Sequence, residues 1–350
     1  MFFTGKKLDQ DAKDELLKYF PNDGLLISPI VQFDLLKMSF GRWAFSIGPE
    51  IITNTRVPKS LFHFILNGNK FDQTIDLSGI DAEVQAVNKI AVSHGREIVV
   101  PQLTNFVEKF TVGGTVKLLT GLAYSDVVEM DANLTFDSLG VVLNGDSKTN
   151  VGVGGFGFAM DIGAAAIINN RLSANFAINN LFGNINWGSF GIGIFEDGDA
   201  LVMENKYSSR IESKDFMGDD LDSLFNAGTT LDTSYTPSEL KSKYPTSVLI
   251  GVQYNALHNL RVFANFRQFL SNDLIFNYTP QLSVATEYNP APWCPLRFGM
   301  SIGGFDKFKW AIGTGLNFKH YTLDFGFSQI GGMFKKSKGF ALSFEQSLVF

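Results

Sequence analysis

Alternation with a period of two dominates the last third of this chain. In 340–350, Phe340, Leu342, Phe344, Gln346, Leu348 and Phe350 fall on one face, and Ala341, Ser343, Glu345, Ser347 and Val349 on the other. Successive strand residues point to opposite sides, so this is the pattern of a β-strand. The same rhythm puts Tyr321, Leu323, Phe325 and Phe327 opposite Thr322, Asp324, Gly326 and Ser328. It also sets Leu296, Phe298, Met300 and Ile302 against Arg297, Gly299, Ser301 and Gly303. One face is large and oily; the other is small or polar.

Half-buried strands in soluble sandwiches alternate too, so the deciding question is which way the oily face points. Composition favours lipid. Charged residues make up 18% of the 350, below the roughly 25% usual in soluble domains. The chain contains no uncharged apolar run long enough for a membrane-spanning helix, so a membrane crossing has to be made by strands in a closed barrel. A soluble or secreted β-protein is the competing class. Net charge −6 and a pI near 5.3 exclude the clustered cations that nucleic acid requires.

The strand runs reach about ten residues, the length of outer-membrane strands. Counting back from a periplasmic carboxyl terminus, turns at 319–320, 289–295 and 258–259 are short. Stretches at 329–338, 271–280 and 208–244 fall on the other side and are longer, with 304–307 tight. Short periplasmic turns and long outer loops are the expected asymmetry of such barrels. Upstream strands are predicted at 25–40, 42–48, 110–122, 127–136, 155–168, 171–180, 184–195 and 200–207. The predicted fold is therefore all-β: a transmembrane antiparallel barrel of about 14 strands, within 12–16, forming one domain over 1–350.

Two segments interrupt the pattern. In 52–104, helices are predicted at 58–66 and at 80–92, the latter from Ile80, Val84, Val87 and Ala91 at helical spacing. This helical insertion would plug or cap the barrel, or sit on its surface. The segment 208–244 reads as a long polar extracellular loop, whose Asp215, Asp219, Asp220 and Asp222 have the character of a solvated acidic stretch rather than the spacing of a calcium loop. A further amphipathic helix is predicted over 8–20.

Catalytic chemistry finds no foothold. The four histidines, His63, His94, His258 and His320, stand in no recognisable nucleophile-and-base pattern, and no Gly-x-Ser-x-Gly elbow occurs. No cofactor or metal set is expected, and the lone Cys294 reads as a turn residue. The glycine-rich 152–163 lacks the Lys-Ser/Thr of a phosphate loop, so its glycines are expected to relieve crowding in a strand. Trp43, Trp187, Trp293 and Trp310, with Tyr254, Tyr278, Tyr288 and Tyr321, are expected as interface girdles. Arg297, Asn317, Asp324, Glu345 and Glu287 lie opposite the oily residues and are candidate lumen-lining groups, placed to pair across the interior or to line a passage.

Three stretches carry a family resemblance: RVPKSLFHFILNGNKFDQTIDLSGIDAEVQAVNKIAVSHGREI with FTVGGTVKLLTGLA after it, and LSANFAINNLFGNINWG. They resemble an uncharacterised family of outer-membrane barrels related to the FadL and PorV type, over roughly residues 23–350. The carboxyl-terminal aromatic strand, with Phe340, Phe344, Leu348 and terminal Phe350, is similar to the signal read by the barrel-assembly machinery. Members of this type open with a leader and a first strand, so an amino-terminal part is expected to be absent here. The resemblance implies the outer membrane of a Gram-negative-type bacterium, contact with its lipid, and a periplasmic carboxyl terminus. It implies either FadL-like passive passage of a small hydrophobic or amphipathic ligand, or a PorV-like scaffold that binds an envelope protein and transports nothing.

Overall fold

The computed structural model describes residues 9–22, 24–68, 73–102, 106–138, 140–188, 199–212, 229–237, 239–332 and 337–348. Among the described residues the structure is all-β apart from two short helices, α1 (Gln10–Tyr19) and α2 (Lys59–Asn67). The wall begins with three short strands, β1 (Leu25–Ile27), β2 (Ile30–Gln32) and β3 (Leu36–Phe40), which share one flank of β4 (Trp43–Val57). It continues through β6 (Asp81–Ile98), β7 (Lys109–Asp137), β8 (Gly140–Ile167) and β9 (Leu172–Trp187). From β9 the ladder passes to β13 (Ser247–Leu257), β14 (Leu260–Phe269), β15 (Gln281–Ala291), β16 (Cys294–Gly303), β17 (Lys307–Asn317), β18 (Tyr321–Ile330) and β19 (Gly339–Leu348). Every one of these pairings is antiparallel. Among the described residues β3 and β19 each pair on one side only, with β4 and β18.

The remaining strands lie off this wall. β5 (Gln73–Asp76) pairs with the far end of β7, β10 (Asp199–Glu212) with the first half of β8, β11 (Thr229–Pro237) with β10, and β12 (Lys241–Lys243) with β9. The nineteen strand segments among the described residues exceed the predicted 14 because these are added and the first wall strand is broken in three.

The orientation of the oily face is resolved. Leu282, Val284, Leu296, Phe298, Met300 and Ile302 are all exposed, whereas Ser301 and Glu287 on the other face are buried. Soluble proteins bury such apolar side chains. Here they form an outward band, as a lipid-facing surface requires. The exposed Phe340, Leu342, Phe344 and Leu348 of β19 extend it; Phe350 lies outside the described residues.

The two ends of the wall differ. One end has tight connections at 41–42, 168–171, 258–259, 292–293 and 318–320. The opposite end carries α1, α2, the loop at 270–280 and the projecting halves of β7 and β8 with β10 and β11. Asn144, Asp146, Lys148 and Asn150 in the projecting half of β8 alternate with Gly145, Ser147 and Thr149, so neither face there is oily and the projection belongs in water.

Several predicted elements are corrected. The helix expected at 80–92 is strand β6. Its inward residues Val87 and Ala91 are buried while Val92 is exposed outward, so both faces carry apolar groups and the alternation is erased. The predicted strands 110–122 and 127–136 are one strand, β7, whose bulges at Ala86/Val87 and Val127/Glu129 in its ladders shift the phase. Likewise 171–180 and the start of 184–195 are one kinked β9. Much of the predicted loop 208–244 is strand: the end of β10, then β11 and β12; the acidic residues at 215–222 lie outside the described residues. α2 follows the predicted 58–66: Pro58 stands at its N-cap, and Gly68, at φ 73°, ends it by donating its N–H to the Phe64 carbonyl. α2 stacks Phe64 on Phe136 at 4.9 Å, near the tip of the projection, and α1 stacks Phe20 on Phe62 at 4.4 Å.

Candidate functional site

The inner face of the wall is where polar and bulky groups from different strands converge. Its centre is Trp187, 4% exposed. Backbone space makes this burial possible: Cβ atoms on Gly121 and Gly155 would lie 2.4 and 2.9 Å from the Trp187 ring, and one on Gly152 would lie 2.7 Å from the Trp187 Cβ. Three glycines on β7 and β8 thus form a socket, which is the crowding relief expected of the glycine-rich run. Trp187 stacks on Tyr124 at 5.3 Å and donates its indole N–H to Ser242 Oγ at 2.9 Å. The interface-girdle expectation fails for this residue, because β9 turns it inward. Trp43 and Trp293 are exposed on the surface.

Ser242 belongs to a strap, residues 239–246, that crosses the inner face between β11 and β13. Leu240 and Tyr244 of the strap pack with Val87, Leu119, Ala159, Ile185 and Trp187 in one buried cluster. Tyr244 donates its hydroxyl to Glu50, which also pairs with Lys89 at 3.0 Å. Burial and the Glu50 carboxylate push the Tyr244 hydroxyl well above its usual pKa, so it stays a donor. The strap is anchored at its other end by β9: Asn180 Nδ2 donates to Pro245 O at 3.0 Å, and Thr246 Oγ1 to Asn180 O at 2.8 Å.

β9 is kinked at that anchor. Two extra residues relative to β8 accumulate between Ile178 and Asn184, and Asn180 and Phe182 both adopt φ 57°. Left-handed backbone is unfavourable for Phe, and Asn180 tolerates it better. The N–H of Asn180 is satisfied by Asp161 Oδ1 at 2.8 Å, and Lys117 Nζ binds Asp161 Oδ2 at 2.8 Å and Asn180 Oδ1 at 2.7 Å. A charged side-chain cluster thereby replaces ladder bonds at the kink.

Below the strap, at the tight-turn end, lies a cavity of about 520 Å³ whose lining includes Ser39, Ser93, Thr111, Thr115, Asp161 and Asn179. Trp43, Val112, Ile162 and Phe176 also border it, so most of its lining surface is apolar. The cavity and α2 are at opposite ends of the wall, so the structure does not bring together the apolar pocket and helices that a simple hydrophobic gate would need.

Of the candidate lumen-lining residues, three meet. Arg297 Nε binds Glu287 Oε2 at 2.9 Å and its guanidinium also reaches Asp324; Arg261, not singled out from the sequence, binds the same Glu287. Glu345 lies on the same face in register with Asp324, and Asn317 in register with Thr322. The other groups missed were Lys117, Asp161, Asn180, Glu50 and Tyr244. Their signal was faint: single polar residues amid small ones, with partners distant in sequence.

The profile of a family of unknown function, DUF5723, matches residues 22–151 and 137–326. The chain belongs to this family. No curated protein matches it. Among solved structures, the chain is similar to the CymD monoaromatic hydrocarbon channel, at 11% identity and TM-score 0.49, over 86% of this chain and 77% of that one. It is similar to the P. putida toluene transporter TodX, at 10% identity and TM-score 0.47, over 91% and 80%. It is also similar to the Ralstonia pickettii toluene transporter TbuX, at 11% identity and TM-score 0.46, over 91% and 79%.

Proposed function

We propose that this chain is an outer-membrane conduit for a small amphipathic molecule, held shut by the strap at 239–246. The observation that carries the reading is the contrast between wall and stopper. The wall is a continuous antiparallel ladder, whereas the strap crosses its inner face on separable contacts: the Trp187–Ser242 bond, the Tyr244–Glu50 bond and the Asn180 anchor. The ion pairs of β14–β18 suit a solute with polar groups better than a bare hydrocarbon. The outward apolar band supports a lipid surround, and the asymmetry of the connections supports a periplasmic tight-turn end.

Solute release from proteoliposomes tests the reading. Trp187→Ala should empty the socket and loosen the strap, raising the release of solutes of a few hundred daltons well above wild type. A variant that folds and inserts normally yet remains as tight as wild type would sink the conduit.

A second reading is favoured by one feature. The projecting sheet of β7, β8, β10 and β11 stands beyond the apolar band as a ready platform for an envelope protein. Replacing 206–234 with a tight turn should abolish partner capture while leaving membrane insertion intact.

A further inference from the structure

We infer that the outward flank of β3, β4 and β6 binds one anionic phospholipid at the tight-turn end, with an acyl chain in an apolar groove and the phosphate on Arg42, His94 and Arg96. The groove has a volume of about 470 Å³ and is walled by Met38, Phe40, Trp43, Phe45 and Val92. Met38, Phe40, Trp43 and Val92 are exposed, so among the described residues no side chain covers it. It lies on the face that carries the oily band, where an acyl chain is the natural occupant.

Strand register sets the polarity of the groove. Met38, Phe45 and Val92 stand side by side across the three strands, and Phe40, Trp43 and His94 form the next row toward the tight-turn end. Down β6 the outward residues are Ile90, Val92, His94 and Arg96. The surface therefore passes from apolar to cationic in the same order as a lipid passes from chain to headgroup.

The head end is built from groups without internal partners. Arg96 is exposed, as is Arg42 in the turn between β3 and β4. The Gly95 N–H donates to the Arg42 carbonyl at 3.0 Å, which brings the two arginines alongside each other. Neither has an ion-pair partner among the described residues. Trp43 meets His94 edge-on with ring centroids 4.4 Å apart, and its indole N–H has no acceptor among the described residues. Amphipathic rings of this kind sit at headgroup level, and a guanidinium matches phosphate oxygens with paired N–H donors. Glu97, the carboxylate next to Arg96, is in register with Thr111, which lines the inner cavity, so it faces away. A zwitterionic headgroup would bring an ammonium as well, and these rows hold no carboxylate to receive it.

The site needs the lipid surround of the wall but not the conduit. In full-length protein reconstituted in phosphatidylcholine liposomes, the fluorescence difference between wild type and Trp43→Phe isolates Trp43 as the reporter. Phosphatidylglycerol brominated on its acyl chains should half-quench that signal at a mole fraction roughly tenfold below that of brominated phosphatidylcholine, because each arginine strengthens attraction to an anionic lipid about fivefold. Salt should narrow the difference. Arg42→Gln with Arg96→Gln should bring the two lipids level while heat-modifiable migration stays as in wild type. Equal quenching by the two lipids in the wild-type protein would overturn the proposal, and so would a preference that survives the double substitution. No quenching by either lipid would remove the lipid-facing assignment together with the site. A preference seen in liposomes that release no solute supports the site and counts against the conduit alone.

Discussion

Lys117 Nζ stands 2.8 Å from Asp161 Oδ2 across the β7–β8 pair, and the other oxygen of the same carboxylate receives the N–H of Asn180 from the kink of β9. One carboxylate therefore serves both a charge and a backbone break. An amide in its place would leave a partly shielded ammonium without its counter-charge and keep only a weaker, neutral acceptor for the Asn180 N–H.

Asp161→Asn is accordingly expected to destabilise the protein by about 2–4 kcal/mol, near the lower part of the range for breaking a buried pair because both side chains retain some exposure. Urea unfolding in micelles measures it. The Lys117→Met, Asp161→Asn double variant should lose less than the sum of the singles, and strict additivity would show that the pair is not coupled.

The Trp187 socket makes a second, sharper expectation. Gly121→Ala puts a Cβ into the ring, at a cost of about 1–3 kcal/mol, but the same change in a Trp187→Ala background should cost clearly less, leaving only the 3.0 Å approach to the Gly155 Cα. A penalty undiminished without the ring would mean that the glycine is needed for that backbone approach instead.

Glu287 holds two guanidinium groups, those of Arg261 and Arg297. Glu287→Gln leaves Arg261 without its counter-charge on the inner face and Arg297 with Asp324 alone. Both guanidinium groups are more than a third exposed, so the expected outcome is a loss of about 1–2 kcal/mol, below the buried-pair range, and, in planar bilayers, a reversal potential shifted toward anion preference. No shift in selectivity would place these residues away from any ion path.

The outward band is tested by a single charge. Met300→Arg should cost about 2–4 kcal/mol of stability in lipid if Met300 lies near the midplane, whereas Lys at the neighbouring inward Gly299 should cost insertion far less. Equal tolerance at both positions would contradict a lipid-facing assignment.

The carboxyl-terminal half of the wall was legible in the sequence because β15–β19 are short and regular, with oily residues only on the outward face. Legibility declined where the inner face itself became apolar. Val87, Leu119 and Ile185 fill the cluster around Trp187, and their presence on the inner side cancels the alternation that marks a strand; β6 consequently read as a helix. Bulges had a similar effect on β7 and β9, since one inserted residue exchanges the two faces. Of the site, Glu287, Arg297 and Asp324 were legible as charges opposite an oily face. Glu50 and Tyr244 were not, being 194 residues apart and joined only by the folding of the strap across the interior.

The two margins of the wall have a consequence in parity. Twelve antiparallel steps lead from β3 to β19, so the margins run in the same sense. Antiparallel knitting across that seam takes an odd number of intervening strands, the first and last of them rising from the tight-turn end.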